Sequence, residues 1–431
     1  MEAPALTNHH LSRGARPRHV LFFGHSPLQG GAELCLDTTL RHLTPGKYRA
    51  TVIFPREGPM AESARSLGLR VEIMPLAWWM NWPPSPWYYR NILFASPANI
   101  LRLARFIRRE RVDLVYTNTV SIFESAFAAR LAGVPHVWHC HEVLGPGTTK
   151  HHVLPMAAHY RLIRCLSDRI IFESNSAKAA CASLRDCEHS LVVYNSLRFP
   201  PDELAWPGES GRRRLGVAPG DLLVGFVGQF FDRKNPLMLV RAASLLQDRP
   251  GLKFLFVGDG PLRTDMVKQI EALGVADRCI LIDFQKDIRW VMRALDVLAL
   301  PSRQESFGLV LVEAGACGKP VIATRTEGPT EIVQDGETGF LVENDNAQDL
   351  AQKIELLARG GADRRQMGAA GARRVRELFS AGANTRRIET IIDGLLADAA
   401  GRKTRRQRAS KNGLPNRNRQ KMKDTLRALP C

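Results

Sequence analysis

The chain has little that would place it in a membrane, around a metal or in an oxidising compartment. No run approaches the roughly 18 uncharged apolar residues that span a bilayer, and Met1 to Arg18 lacks the apolar centre of a secretory signal. That pattern predicts a cytosolic protein. The eight cysteines are scattered without a CxxC pair, which argues against zinc sites and redox dithiols and predicts reduced thiols. No Asp-x-Asp loop stands out, since Glu343 and Asp345 follow a predicted strand and read as solvated turn residues. No metal or other cofactor is therefore expected.

What is present fits a folded, two-domain protein. Its 431 residues exceed what one core usually holds, and 45% apolar with 24% charged residues is ordinary globular usage. The net charge of +17 is unevenly spread: from Arg402 to Cys431 eleven Lys or Arg face a single acid, Asp424. Residues 401–431 therefore read as a disordered basic tail. Besides plain solvation, residues 402–427 suit an anionic membrane surface on the cytosolic side; nucleic acid is the less favoured partner.

Short β-branched runs alternate with helical stretches, the pattern of βαβ units and parallel sheets, so the fold class is α/β. Strands are predicted at His19–Phe23, Ala50–Pro55, Val71–Met74, Val112–Thr117, His136–His139, Arg169–Glu173 and Leu191–Tyr194. A second series covers Leu222–Val227, Lys253–Gly258, Cys279–Asp283, Val297–Pro301, Val321–Thr324 and Gly339–Val342. Residues 198–221, rich in Pro, Gly and Arg, read as the linker between a domain at 1–197 and one at 222–400. Helices are predicted at Ala347–Ala358, Asp363–Leu378 and Ala383–Ala399. Two doubly wound domains place ligands in the cleft between them, at the carboxyl ends of the strands.

The segment DVLALPSRQESFGLVLVEAGACGKPVIAT, Asp296 to Thr324, reads strand, polar loop, helix, strand. Glu305 falls just before the helix and Glu313 about two turns inside it. The backbone N–H groups of Phe307, Gly308 and Leu309 lie at the helix start, where free donors and the dipole favour an anion such as a diphosphate. Two glutamates eight apart are by themselves most often surface or capping carboxylates.

Their context resembles the E-x7-E motif of the retaining GT-B glycosyltransferases called group 1 or family 4. The stretches VGFVGQFFDRKNPLMLVRAASLL, LKFLFVGDGPLR and EGPTEIVQDGETGFLV are similar to other parts of that family's donor domain. The resemblance is strong over residues 220–345 and weaker before them. It implies a GT-B architecture of two Rossmann-like domains and a C-terminal helix returning to the first, with Glu305 holding the donor sugar and Glu313 the ribose. It also implies Lys234 as the cation that neutralises the leaving diphosphate. The family's usual arginine after the strand glycine is Gln229 in this chain, and Arg233 is the substitute. The loop Asp283–Asp287 would face the base. A preorganised positive field must meet the charge on the leaving group; Lys234, Arg233 and the helix start supply it, so metal independence is expected.

In the first domain, Gly30 and Gly31 lie in HSPLQGGAEL between a strand and a helix, where a bare turn is the commoner meaning. The loop resembles the family's glycine-rich loop facing the donor. In WHCHE at the end of a strand, His141 matches the family's sugar-contacting histidine better than His139. The aromatic stretch WWMNWPPSPWYY reads equally as loop packing or as a lip for a glycan or lipid acceptor. Ile100 to Arg111 reads first as a helix packed on the sheet and second as a membrane-surface helix. The function expected is retaining transfer of a sugar from a nucleotide-diphosphate sugar to a glycan or lipid-linked acceptor in cell-surface polysaccharide assembly. The rivals are a nucleotide-sugar epimerase or a phosphorylase on the same fold, and a basic nucleic-acid or membrane binding protein with a decayed cleft.

Overall fold

The computed structural model describes residues 16–81, 86–141, 151–152, 154–181, 184, 187–199 and 208–411. In chain order the first half contains β1 (Arg18–Phe23), β2 (Tyr48–Phe54), β3 (Arg70–Ile73), β4 (Met80–Asn81), β5 (Leu114–Thr117), β6 (His136–Cys140), β7 (His151–His152), β8 (Arg169–Phe172) and β9 (Ser190–Val192). Seven of these form one parallel sheet in the order β3-β2-β1-β5-β6-β8-β9. The second half supplies β10 (Leu222–Val227), β11 (Leu252–Val257), β12 (Cys279–Ile282), β13 (Val297–Leu300), β14 (Val321–Thr324) and β15 (Gly339–Val342). They form a parallel sheet in the order β12-β11-β10-β13-β14-β15. All thirteen predicted strands are present, shifted by a few residues at their ends.

Central strands such as LVYT and VLAL are buried throughout because helices cover both faces of each sheet. Along β1 the side chains alternate between two cores: Val20 and Phe22 join one face, Leu21 and Phe23 the other. Each sheet reverses direction beside its first strand, between β1 and β5 and between β10 and β13. Loops leaving these strands diverge there and open a crevice.

Two boundaries differ from the sequence reading. The stretch 198–221 is only partly a connection, because Gly208–Arg214 is a helix packed on the helix Arg289–Ala294. Arg212 fixes it by donating to Asp296 Oδ2 at 2.8 Å and to the Ala294 carbonyl at 3.2 Å. The final helix, Ala381–Lys411, extends past the predicted tail start at residue 401. Its residues Ile388, Ile392, Leu395 and Leu396 lie in the core of the first domain. Their spacing forms one apolar stripe, so this helix returns to the first domain as the resemblance implies, and the last part of the interval 222–400 packs there. Residues 412–431 lie outside the described part, as do residues 82–85 of the aromatic stretch.

Candidate active site

A cavity of about 690 Å³ lies between the two crevices and is lined from both domains. All ten residues singled out from the sequence line it: Gly30, Gly31, His141, Arg233, Lys234, Glu305, Phe307, Gly308, Leu309 and Glu313. Gln229 lines it as well.

The second-domain wall is built by the loop after β13 and the helix Leu309–Ala316. Gly308 precedes that helix with φ +97°, a left-handed conformation that a side chain would strain. This turn makes the helix begin later than the sequence reading placed it, at Leu309, so Glu313 stands just over one turn inside rather than two. The helix dipole points its positive end at the cavity beside Phe307, Gly308 and Leu309. Gly328 lets a second loop pack on this one: its N–H donates to the Glu305 carbonyl at 2.8 Å, and an added Cβ would lie 2.2 Å from Phe307 Cα.

Beside this wall and bonded to it, the turn Asp232–Lys234 presents the cations. Lys234 Nζ donates to the Glu305 carboxylate, which also accepts from Ser302 Oγ at 3.3 Å, and Arg233 is exposed at the rim. Arg303, overlooked in the sequence, locks the turn. Its N–H donates to the Arg233 carbonyl at 2.8 Å, and its guanidinium bridges Asp232 Oδ1 at 2.6 Å and Asp345 Oδ1 at 2.8 Å. Asp345 is thus a structural anchor rather than a merely solvated turn residue, and it accepts from Asn235 at 2.9 Å as well.

His141 and His139 have different environments although their rings are 4.1 Å apart. His139 is buried against the Tyr116 hydroxyl at 2.6 Å, and burial, helped by His141, holds its pKa well below the usual histidine value. His141 lines the cavity. Asn118 Nδ2 donates to the Ala32 carbonyl at 2.7 Å, so its Oδ1 faces His141 Nε2 at 3.1 Å and accepts from it. His141 Nδ1 lies 3.4 Å from Glu173 Oε2. Both ring nitrogens thus face protein groups, and the His141 carbonyl accepts from Ser306 Oγ at 3.4 Å.

Gly30 has φ −89°, so no left-handed turn demands a glycine there. A Cβ on Gly31 would stand 3.9 Å from Leu309 Cδ1 of the other domain, an ordinary contact across a narrow cleft. Of the aromatic stretch, Trp79 is core: it stacks on Trp138 at 5.7 Å and is 3% exposed. Trp78 donates from Nε1 to the His25 carbonyl at 3.3 Å. Among the described residues no group of three or more His, Cys, Asp or Glu is arranged to hold a metal ion. No helix among them is long and apolar enough to cross a membrane.

Sequence reasoning missed Glu173, Asn195 and Arg198, which also line the cavity. Asn195 donates to Glu173, and Arg198 Nη2 lies 3.1 Å from Glu313 Oε1. Glu313 is buried; burial pushes its pKa up and Arg198 opposes the rise without cancelling it.

Residues 29–197 match the family model described as Glycosyltransferase Family 4, and residues 209–374 match that of Glycosyl transferases group 1. The chain belongs to the group 1 / family 4 glycosyltransferases. Its fold is GT-B. The structure of Anabaena HepE in complex with UDP and glucose aligns with a TM-score of 0.73 at 26% identity, covering 87% of this chain and 99% of that one. Sucrose-phosphate synthase from Thermosynechococcus elongatus shares the fold, with a TM-score of 0.68 at 20% identity over 88% of this chain and 100% of that one. A D-inositol 3-phosphate glycosyltransferase of Actinosynnema mirum is 42% identical over 166 residues, 35% of this chain and 40% of that protein. An N-acetyl-alpha-D-glucosaminyl L-malate synthase of Bacillus anthracis is 30% identical over 187 residues, 43% of this chain and 49% of that protein. In both cases the similarity spans less than half of the relative's length. The present chain carries Gln229 after the β10 glycine and an interdomain Arg198 paired with Glu313.

Proposed function

We propose that the protein is a retaining, metal-independent glycosyltransferase that moves a sugar from a nucleoside-diphosphate sugar to a glycan or lipid-linked acceptor in cell-surface polysaccharide assembly. The carrying observation is the convergence of Lys234, Arg233, the start of the Leu309–Ala316 helix and the two carboxylates Glu305 and Glu313 on one interdomain cavity. The HepE likeness, a structure holding UDP and glucose, supports the donor class.

In this reading Glu313 accepts the ribose hydroxyls and Glu305 the hydroxyls of the transferred sugar, with His141 against that sugar. The bond from the anomeric carbon to the phosphate oxygen breaks, and its electron pair goes to the diphosphate. The acceptor oxygen bonds to the anomeric carbon from the same face and gives its proton to the departing phosphate. Lys234, Arg233 and the N–H groups of Phe307, Gly308 and Leu309 meet the growing negative charge with dipoles already oriented. These groups supply the charge neutralisation that a metal ion would otherwise provide.

The lipid side of the acceptor class rests on surface chemistry. Leu93, Phe94 and Leu101 are 66%, 76% and 49% exposed, and Arg102, Arg105 and Arg109 beside them are exposed too. The helix Ser96–Arg109, which carries Leu101 and the arginines and follows the turn Asn91–Ala95 that carries Leu93 and Phe94, buries Leu103, Phe106 and Ile107 on its inner side, so this segment is packed inward with an outward apolar and basic edge. That edge and residues 402–427 suit an anionic membrane surface.

Thermal unfolding with UDP-, GDP-, ADP- and TDP-sugars in EDTA tests the reading. A donor at about 100 times its dissociation constant stabilises wild type by roughly 2.7 kcal/mol, and Glu313→Ala loses the response. No stabilisation by any donor, or stabilisation only with added metal, contradicts it. Deleting residues 412–431 leaves transfer to a soluble acceptor intact if the protein is an enzyme and not a binding module.

A further inference from the structure

Arg198 belongs to the segment that first crosses between the domains. Immediately before it, the Leu197 N–H donates to the Phe379 carbonyl of the second half at 2.9 Å, while Asn195 donates to Glu173 of the first. The side chain then turns into the cavity, stacked on Phe199 with 4.2 Å between Cζ and the ring centroid. Nη2 reaches Glu313 Oε1 at 3.1 Å, and the two side chains are 13% and 3% exposed. Its buried Nε–H has no hydrogen-bond acceptor among the described residues.

The setting of Glu313 makes this contact matter. The carboxylate sits on an apolar helix in a site where burial disfavours charge. Cys35, on the helix Gly31–His42, lies within electrostatic reach of Glu33, Glu173, Glu313 and Arg198, and Cys317, which caps Glu313's own helix, within reach of Glu313, Arg293 and Lys319. Against that burial, the Arg198 guanidinium favours the charged form of Glu313. A carboxylate that accepts hydroxyl hydrogen bonds best must be ionised and pointed at them.

We propose that Arg198 is a positioning residue of the donor site, an interdomain guanidinium that balances and aims the Glu313 carboxylate for the nucleotide ribose. The inference rests on the donor reading above. It adds that donor affinity depends on the crossing segment, because any swing that draws residue 198 away leaves Glu313 buried without its counterion.

Isothermal titration of the full chain with UDP, GDP and ADP between pH 6 and pH 8.5 tests it, each variant being expressed as a ratio to wild type at the same pH. Arg198→Ala is expected to weaken the nucleotide that wild type binds by on the order of tenfold to a hundredfold at pH 6. The ratio should shrink as the pH rises, the direction in which a buried carboxylate recovers its charge. Arg198→Lys should keep most of the affinity, and Arg198→Ala should add no pH dependence in a Glu313→Gln background. If Arg198→Ala does not fold, Arg198→Gln carries the same expectations. A loss that is equal at every pH and persists with Glu313→Gln means the guanidinium touches the ligand itself and overturns the proposal, as does no loss at all. Absence of binding to wild type overturns the donor reading, and this inference with it.

Discussion

The hydrogen of Gly328 occupies space that a methyl group cannot, because the Phe307 backbone runs directly beneath it. Gly328→Ala must push the loop carrying Glu305, Ser306 and Phe307, so we expect a loss of about 1–3 kcal/mol in stability. Donor-induced stabilisation should disappear with it, and urea unfolding with and without nucleotide checks both. The glycine itself was visible in the sequence as part of EGPTEIV, but its partner was not, since Phe307 is 21 positions earlier and meets it only in the folded chain. The same distinction separates the site residues that could be read from those that could not. Glu305, Glu313 and Lys234 stand in local patterns with fixed spacing to a strand and a helix. Asn118, Glu173 and Arg198 carry no local signal, because what makes them part of the site is a partner 23 to 115 positions distant.

At the scale of elements, the parallel strands were legible because burial on both faces makes them short continuous apolar runs bounded by Gly, Pro or Asp. DVLAL and PVIAT, now β13 and β14, are examples. The ribbon of β4 and β7 was not legible, since two-residue strands paired at Met80 and His152 leave no periodic trace. The end of the last helix was misjudged for another reason: an Arg- and Lys-rich polar segment has the same composition whether helical or disordered. That helix is held by more than its apolar stripe. Glu389, 2% exposed, accepts from the Thr44 N–H at 2.6 Å, Thr44 Oγ1 at 2.8 Å and Lys47 Nζ at 3.0 Å. Glu389→Ala leaves those donors behind, and we expect a loss on the order of 3 kcal/mol, read from the denaturation midpoint, with Glu389→Gln less costly.

Across the whole molecule, Glu331 ties the domains together. It accepts from the Ser176 N–H at 2.6 Å, the Asn175 N–H at 3.0 Å and the Tyr194 hydroxyl at 2.9 Å. Burial alone would raise its pKa, but the hydrogen bonds from Ser176 and Asn175 outweigh burial and hold it below the usual 4.5. A lowered carboxylate pKa contributes stability that is present above the unfolded value and lost as pH falls through the folded one. The interdomain contact should therefore hold at neutral pH and weaken below about pH 4.5. Glu331→Gln should be less stable than wild type at pH 7, and the difference should close on acidification. Denaturation midpoints at pH 7 and pH 4 measure it.

The return of the last helix to the first domain also bears on how the protein is made. On the ribosome, residues 16–197 emerge long before Ile388, Ile392, Leu395 and Leu396, which finish their core. The second domain, whose strands end at Val342, can close its sheet first, while the first waits with an apolar groove uncovered. A chain released before residue 388 would carry that groove permanently and be prone to aggregate, so each copy's solubility depends on synthesis reaching this stripe.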